Sequence, residues 1–246
     1  MSLLSLEHVT KRFAEGRGHC TVLEDLSLQI EPGDFVGIWG IRRSGKSTLL
    51  RIASGRELPD TGKVWFDGQE MTGMSPDRRA ALRRHSGVGL LSSDWRPERN
   101  KPAVEHVALP LLSDGMSLHE ARQPAWKALE RVGAARWAHM PGGRLSQGER
   151  TRVALAQILV HEPRVLLVDE PAVLLKPGEG VELYDLLRSL GDSSGIAIVI
   201  ASEDIAPIRK ARRLMSLGGG KLRSTDQPGN LVPFPERASG RLRSQP

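Results

Sequence analysis

Residues 37–50 read GIWGIRRSGKSTLL and constrain the fold more than any other segment of the chain. A short apolar run ends at Gly40, and a segment with helical character begins at Lys46. The spacing of Gly40, Gly45, Lys46 and Ser47 is that of a loop that wraps a phosphate group. In such a loop, successive backbone N–H groups and the N-terminus of the helix converge on the anion. The order of strand, loop and helix disfavours the alternative, a glycine-rich turn that only links two elements.

The side chains of this loop predict a site for ATP and Mg²⁺. Lys46 is placed to reach the β- and γ-phosphates, and the hydroxyl of Ser47 is placed to ligate the metal ion. Ser44 and Thr48 flank these two residues and complete the set expected to bind the nucleotide in the loop.

Two later segments predict strands of a parallel sheet. Residues 164–171 (RVLLVDEP) and 195–202 (GIAIVIAS) are almost continuously apolar, which is typical of parallel strands covered by helices on both faces. Residues 3–13 and 20–30 mix apolar and polar side chains as strands do, whereas residues 92–161 show helices and loops without a convincing strand. The chain is therefore predicted to be an α/β protein whose sheet is interrupted by a helical insertion.

Asp169 and Glu170 stand at the C-terminal end of the first of these buried strands. Ligands collect at the carboxyl ends of the strands in open α/β sheets. Asp169 is therefore predicted to hold Mg²⁺ through water, and Glu170 to orient or deprotonate an attacking water. Either carboxylate alone would also fit a helix start before Pro171, but two adjacent carboxylates in a chain with a phosphate loop favour the catalytic interpretation.

Residues 145–159 read LSQGERTRVALAQIL, and the spacing of Ser146 and Glu149 is that of a capping box at the start of an amphipathic helix. The N-terminus of that helix would offer the Ser146 hydroxyl and free backbone N–H groups to an anion. Taken alone, the segment is better explained as an ordinary capped helix.

Composition excludes several other classes of protein. The 246-residue chain has a single cysteine, Cys20, so it forms no intrachain disulfide, and no apolar run approaches the ~20 residues that cross a bilayer. Glu7 brings charge too early for a signal peptide, so we expect a cytoplasmic chain.

The net charge of +6 is compatible with an anionic neighbour. Residues 221–246 are basic, contain several Pro and Gly residues, and are predicted to form an extended or disordered tail.

The glycine loop, the LSQGE segment and the acidic pair, in this order, resemble the ATP-binding subunit of ABC transporters. The resemblance covers residues 3 to about 220. It implies a P-loop NTPase fold with a RecA-like core formed by residues 1–91 and 162–220, which includes a small antiparallel β subdomain. Residues 92–161 are the implied helical subdomain. Residues 104–112 (VEHVALPLL) are most similar to the subclass of lipoprotein-release, macrolide-export and cell-division ATPases.

The resemblance also implies partners and further site residues. Phe13 matches the aromatic residue that stacks on adenine, and Ser146 and Gly148 match the signature that completes the ATP site of a second cassette, in the same or a different chain. The helical subdomain is expected to dock on transmembrane permease subunits, with Ser93–Leu112 and an exposed Trp95 in the contact. The protein would then lie peripherally on the inner face of the cell membrane, and no specific nucleic acid is expected.

Several residues depart from the pattern of that family. Arg42 and Arg43 replace small residues of the glycine loop, and the second of these positions is usually glycine. Ser93 stands where a glutamine senses Mg²⁺ and water, and Lys176 stands in place of the aspartate in the loop that crosses the dimer interface. Glu203 stands where a histidine contacts the γ-phosphate. We therefore predict a site that binds nucleotide and hydrolyses it poorly.

The change at Glu203 has the clearest physical consequence. A histidine donates a hydrogen bond to phosphate, whereas an ionised glutamate only accepts and adds negative charge. That charge opposes the stabilisation that phosphoryl transfer requires. Arg42 or Arg43 could offset it, by pairing with Glu203 or by reaching the phosphates, and the sequence leaves both alternatives open.

Two functions from different classes fit these residues. The first is an ATPase subunit of an ABC transporter with an attenuated site of its own, paired with a more competent cassette. The second is a nucleotide-gated structural or regulatory subunit that never turns over ATP. A soluble ABC protein acting on DNA or ribosomes is disfavoured, because such proteins usually carry two cassettes in one chain or a long coiled-coil insertion.

Overall fold

The computed structural model describes residues 2–16, 18–84, 87–173 and 175–225. Most of the segment predicted as a basic tail, from residue 226 onward, lies outside the described residues. Leu174, in the loop that precedes Lys176, lies outside them as well.

A six-stranded sheet forms the centre of the described chain. Its strand order is β10-β9-β3-β8-β7-β6, with β9, β3, β8, β7 and β6 parallel and β10 antiparallel at one edge. The bounds are β3 Phe35–Trp39, β6 Val88–Ser92, β7 Val165–Asp169, β8 Ala197–Ser202, β9 Arg213–Gly218 and β10 Lys221–Ser224. Strands β7 and β8 are buried almost throughout, as their continuous apolar runs predicted.

A second, four-stranded antiparallel sheet has the order β2-β1-β4-β5. Its bounds are β1 Leu4–Glu15, β2 Gly18–Ile30, β4 Thr61–Phe66 and β5 Gln69–Glu70. The pairing of β1 with β2 is irregular between Leu6 and Arg12, where the register shifts three times. The mixture of apolar and polar residues in β1 and β2 follows from this sheet having one buried face and one solvated face.

Seven α-helices connect the strands in the described part of the chain. They are α1 Lys46–Ala53, α2 Pro76–Arg84, α3 Ala103–Ser113, α4 Leu118–Arg131, α5 Gln147–Leu159, α6 Pro177–Ser194 and α7 Ile205–Ile208. The chain between β6 and β7 contains α3, α4, α5 and two short 3₁₀ turns, and its only β pairing is the isolated bridge between Pro102 and Pro141. None of the described helices combines the length and the apolar character that crossing a membrane requires.

Two hydrophobic clusters lie on opposite faces of the central sheet. One joins alternate residues of β7 and β8 to the helices α3, α4, α5 and α6, with Leu129, Leu155, Leu187 and Ile198 fully buried. The other joins the remaining residues of the sheet to α1 and to the antiparallel sheet. Helix α1, which begins at Lys46, is therefore fixed by packing on both the central and the antiparallel sheets.

The segment predicted to begin an unstructured tail at residue 221 is in part a strand. Lys221–Ser224 forms β10 and pairs with β9. The Gly220 carbonyl just before it accepts a hydrogen bond of 2.8 Å from the backbone N–H of Glu24, on β2. Composition indicated an extended tail because the partners that turn this short polar segment into a strand lie far away in the sequence.

Candidate functional site

The glycine loop between β3 and α1 is closely packed against its surroundings. A Cβ at Gly40 would lie 2.5 Å from the Ser44 hydroxyl oxygen and 2.7 Å from the Leu217 carbonyl oxygen, so no other residue fits there. Gly45 has φ of +104° and lies against Val22 of β2. These two glycines set the curvature of the loop, and the loop delivers Lys46 and Ser47 to the first turn of α1.

Arg43 occupies a backbone conformation that favours glycine. Its φ is +63°, in the left-handed region where a Cβ meets the following carbonyl oxygen. The side chains of Arg42 and Arg43 are exposed. No hydrogen bond or ion pair joins either of them to another residue that the structure describes. Neither arginine therefore pairs with Glu203, which removes the first of the two compensating arrangements considered from the sequence.

Lys46 lies at the centre of a cluster of oxygen atoms. Its Nζ donates to the carbonyl oxygens of Gly40 and Ile41 at 2.6 and 3.0 Å. The same Nζ lies 3.1 Å from Oε1 of Glu170 and 4.0 Å from Oε1 of Glu203. The Lys46 side chain is only 5% exposed, so these oxygens take the place of water around the ammonium group.

The two acidic residues at the end of β7 have raised pKa values. Burial raises the pKa of Asp169, and a hydrogen bond with Ser47 and the charge of Lys46 oppose the shift. Burial also raises the pKa of Glu170, against the opposing effects of Lys46 and the Glu203 backbone N–H. Glu170 itself has φ of +46°. Strain and raised carboxyl pKa values concentrate at functional sites.

Glu203 follows β8, and its backbone is held at both ends. Its N–H donates to Oε2 of Glu170 at 3.1 Å, and its carbonyl oxygen accepts from Nε1 of Trp39 at 2.9 Å. The sequence reasoning missed Trp39, although a tryptophan at the last residue before the glycine loop was the available signal. The Glu203 side chain is 42% exposed and extends from this fixed backbone toward Lys46.

Ser93 joins this group from the neighbouring strand. Ser92 lies opposite Asp169 in the parallel register of β6 and β7, so Ser93 and Glu170 each follow the end of adjacent strands. Ser93 and Glu170 line the same small pocket, together with Gln147 of α5. The sequence reasoning also missed Asp94, whose negative charge contributes to the raised pKa of Asp169.

Trp95 was expected to be exposed, and the structure corrects this. Its indole packs edge-to-face on His106, with ring centroids 5.9 Å apart, and it adjoins the helical hydrophobic cluster. The ring is therefore only partly accessible.

Ser146 and Gly148 lie apart from the lysine cluster. Ser146 caps α5, with its hydroxyl accepting from the Glu149 N–H and its own N–H donating to Oε2 of Glu149 at 2.7 Å. A Cβ at Gly148 would approach the Glu179 carboxyl group to 3.2 Å, so the glycine has a local packing role against α6. Both residues line a separate cleft of about 310 Å³. Lys46 is not among the residues that line this cleft, whereas Gln147, between Ser146 and Gly148, lines the pocket of Ser93 and Glu170.

Two further predicted residues occupy the surroundings of the loop. Phe13 is 38% exposed on β1, opposite Cys20 of β2, with the Lys11 ammonium 5.5 Å from its ring centroid. The Thr48 hydroxyl accepts a hydrogen bond from Arg51 at 3.2 Å, one turn later in α1.

The residues around the loop fit a phosphate chain with a hard cation. The Ser44 hydroxyl and Oδ1 of Asp169 are buried and have no hydrogen-bond partner among the described residues, as expected of atoms that await a ligand. No group of three or more His, Cys, Asp or Glu side chains that could hold a metal occurs among the described residues. Mg²⁺ usually takes one or two protein oxygens and completes its shell with phosphate and water, so Ser47 and Asp169 suit that ion.

The fold and the loop together define a P-loop nucleotide-binding protein. Residues 23–173 match the model of the ABC transporter family. Lipoprotein-releasing system ATP-binding protein LolD from Pseudomonas syringae is 37% identical over 222 residues, 90% of this chain and 97% of that one. Macrolide export ATP-binding/permease protein MacB from Syntrophobacter fumaroxidans is 32% identical, over 89% of this chain and 31% of that longer protein.

Solved structures of ABC transporter cassettes share the fold of this chain. A dimeric ATP-binding cassette, MJ0796, in a post-hydrolysis state with ADP and Pi superposes with a TM-score of 0.83 at 30% identity, covering 90% of this chain and 97% of that one. CbiO1 from Clostridium perfringens, part of an ABC transporter complex, has a TM-score of 0.77 at 27% identity over 90% of this chain and 87% of that one. The chain belongs to the ABC transporter family and is an ATP-binding subunit of that family.

Proposed function

We propose that this subunit binds Mg-ATP at its own glycine loop but turns it over slowly, and that it works beside a more competent cassette. The observation that carries the proposal is the pair of carboxylates on Lys46, with Oε1 of Glu170 at 3.1 Å and Oε1 of Glu203 at 4.0 Å. The second of these is a glutamate where the family pattern has a histidine.

Nucleotide binding is supported by the groups that remain. The two loop glycines, Lys46, Ser47 and Asp169 are the residues that would hold the phosphates and Mg²⁺. When bound, the ion neutralises charge on the phosphates. Glu170 is the residue proposed to take a proton from the attacking water, and its raised pKa brings it nearer to the range of a useful base.

Slow turnover is supported by the groups that have changed. Ionised Glu203 offers no hydrogen bond to the γ-phosphate and adds a negative charge where negative charge develops. Ser93 has too short a side chain to replace a glutamine between metal and water. Neither Arg42 nor Arg43 contacts Glu203. The charge of Glu203 is therefore not neutralised by pairing with either arginine.

The second cassette is inferred from the separation of the two half-sites. Ser146 and Gly148, at the N-terminus of α5, line a cleft that does not include Lys46, and a helix N-terminus favours an anion. In a head-to-tail pair, the α5 end of this chain would complete the ATP site of the other cassette. MJ0796 is described as a dimer, which supports such an arrangement.

A membrane partner is inferred from the relatives. The MacB relative combines an ATP-binding part with a permease in one protein, and this chain aligns with about a third of it. We propose that a separate permease supplies the remainder, that Ser93–Leu112 contributes to the contact, and that the subunit is thereby held peripherally at the inner face of the membrane.

Steady-state ATPase measurements on the assembled complex test the asymmetry. Glu170→Gln in this chain should lower the rate only a few-fold, because this site contributes little. Ser146→Arg should nearly abolish the rate, because a bulky cation blocks the phosphate of the ATP held by the other cassette. Glu→Gln at the matching base of that cassette should also be severe, about 10²–10⁴-fold.

Three outcomes would contradict parts of the proposal. Loss of all hydrolysis with Glu170→Gln alone would show that this site performs most of the ATP hydrolysis of the complex. Brisk turnover by the subunit assembled only with itself would remove the need for a second kind of cassette. A rate that is insensitive to Glu170→Gln, together with absent turnover at this site, would favour the alternative of a nucleotide-gated regulatory subunit.

A further inference from the structure

We infer that Glu203 makes the site discriminate against the γ-phosphate, so that the isolated subunit binds MgADP in preference to the triphosphate form. This inference rests on the proposed nucleotide site and specifies which nucleotide that site holds.

The ammonium group of Lys46 is already in contact with oxygen atoms of the protein. It carries three N–H groups, and three oxygens lie within 3.1 Å of Nζ: those of Gly40, Ile41 and Glu170. The Glu203 carboxylate is a fourth, at 4.0 Å. A phosphate that reaches this lysine competes with these oxygens for the ammonium group.

Three carboxylates lie in the electrostatic surroundings of Lys46, and Arg51 is a second cation that acts on Asp169. Asp169, Glu170 and Glu203 all interact electrostatically with Lys46 or with one another. Two negative charges a few ångströms apart in a partly buried site repel each other. The repulsion energy is a substantial fraction of the attraction energy of an ion pair. A third phosphate adds negative charge to a site where the Glu203 carboxylate lies 4.0 Å from Nζ of Lys46, whereas a diphosphate brings less negative charge to it.

Two hydrogen bonds hold the backbone of Glu203 in place, so the backbone cannot move away from a bound phosphate. Nε1 of Trp39 donates to the Glu203 carbonyl oxygen at 2.9 Å, and the Glu203 N–H donates to Oε2 of Glu170 at 3.1 Å. Trp39 is itself the last residue of β3, paired with Ser202 of β8. The side chain can rotate away, but the Cα is fixed beside the loop. Trp39 thus acts as a positioning residue for the carboxylate.

Equilibrium titrations of the full chain test the inference. MgADP and the non-hydrolysable MgAMP-PNP compete against a fluorescent nucleotide, and the ratio of their dissociation constants is the readout. Glu203→Gln keeps the shape and removes the charge. It should tighten MgAMP-PNP about tenfold relative to MgADP, equivalent to about 1.4 kcal/mol, and leave MgADP within about twofold. Glu203→His should shift the ratio in the same direction.

Glu162→Gln is the matched control. Glu162 precedes β7, at the opposite end of the strand from Glu170, and is exposed. The same charge is removed from the chain, and the ratio should stay unchanged. Trp39→Phe should shift the ratio in the direction of Glu203→Gln by a smaller factor, and should add nothing in a chain that already carries Glu203→Gln.

The titrations distinguish a failure of the inference about Glu203 from a failure of the proposed nucleotide site. Equal tightening of both nucleotides by Glu203→Gln, or an unchanged ratio in a folded variant, overturns the inference and leaves the nucleotide site standing. Binding of neither nucleotide by the wild-type chain and all variants overturns the inference and the proposed function together. Circular dichroism spectra identify any variant that has not folded, in which case the remaining Glu203 variant decides.

Discussion

The Nζ of Lys46 lies 3.1 Å from Oε1 of Glu170, and this ion pair joins the first residue of α1 to the residue that follows β7. The lysine expected to bind phosphate is therefore also the counter-ion of the acid expected to act as base. A change at either residue acts on both functions.

Lys46→Ala should weaken binding of Mg-nucleotide by ~1.5–3 kcal/mol, roughly 10- to 150-fold, because it removes a charge-assisted contact with phosphate. Fluorescent-nucleotide titration measures the change. Lys127→Ala removes an equal charge from the exposed face of α4 and should leave the affinity unchanged. Equal affinities for Lys46→Ala and the wild type would show that Lys46 is not in the site.

Arg43→Gly should stabilise the protein by about 1 kcal/mol, because Arg43 has φ of +63° and glycine adopts that conformation without a Cβ clash. Urea unfolding measures the difference. Arg42→Gly is the matched control, since the φ of Arg42 is not positive. There the added chain entropy should destabilise by ~0.5–1 kcal/mol. The idea of strain at Arg43 is wrong if both changes destabilise equally.

Asp169→Asn should change how stability depends on pH. The pKa of Asp169 is raised in the folded chain from its ordinary value of 3.8. The folded state therefore holds the proton more tightly, and stability is lost as the pH rises above 3.8 through the folded pKa. Asp169→Asn removes this loss. Its free energy of unfolding, relative to the wild type, should rise across that window in urea titrations without Mg²⁺ or nucleotide. A pH-independent difference would contradict the shift.

A cysteine at Asn100 should cross-link to the permease in the assembled complex, because the exposed residues between β6 and α3 form part of the proposed contact. The native Cys20 is first replaced by serine. Gln69→Cys, on β5 of the antiparallel sheet, serves as the control and should not cross-link. Absence of any cross-link from Asn100, with the complex intact, would argue against this surface.

The sequence predicted the strands of the central sheet where burial on both faces leaves a continuous apolar run. Val165–Asp169 and Phe35–Trp39 are examples. It did not predict β10, because Lys221–Ser224 is polar and becomes a strand only through its pairing with β9.

The site divides in the same way. Motif spacing predicted that Lys46, Asp169 and Glu170 would meet, since all three follow the carboxyl ends of strands. It could not decide whether Arg43 pairs with Glu203. That depends on the backbone angle at Arg43 and on the hydrogen bond from Trp39 to Glu203, which are consequences of tertiary packing.

The packing of α1 on both sheets has a mechanical consequence. The strand that carries Phe13 and the helix that begins at Lys46 belong to one hydrophobic cluster, whereas α3, α4 and α5 belong to the other. The distance between Phe13, which is expected to stack on adenine, and the phosphate loop is therefore fixed by fully buried residues such as Leu23 and Leu49. The helices α3, α4 and α5 pack in the other cluster, so they do not set this distance.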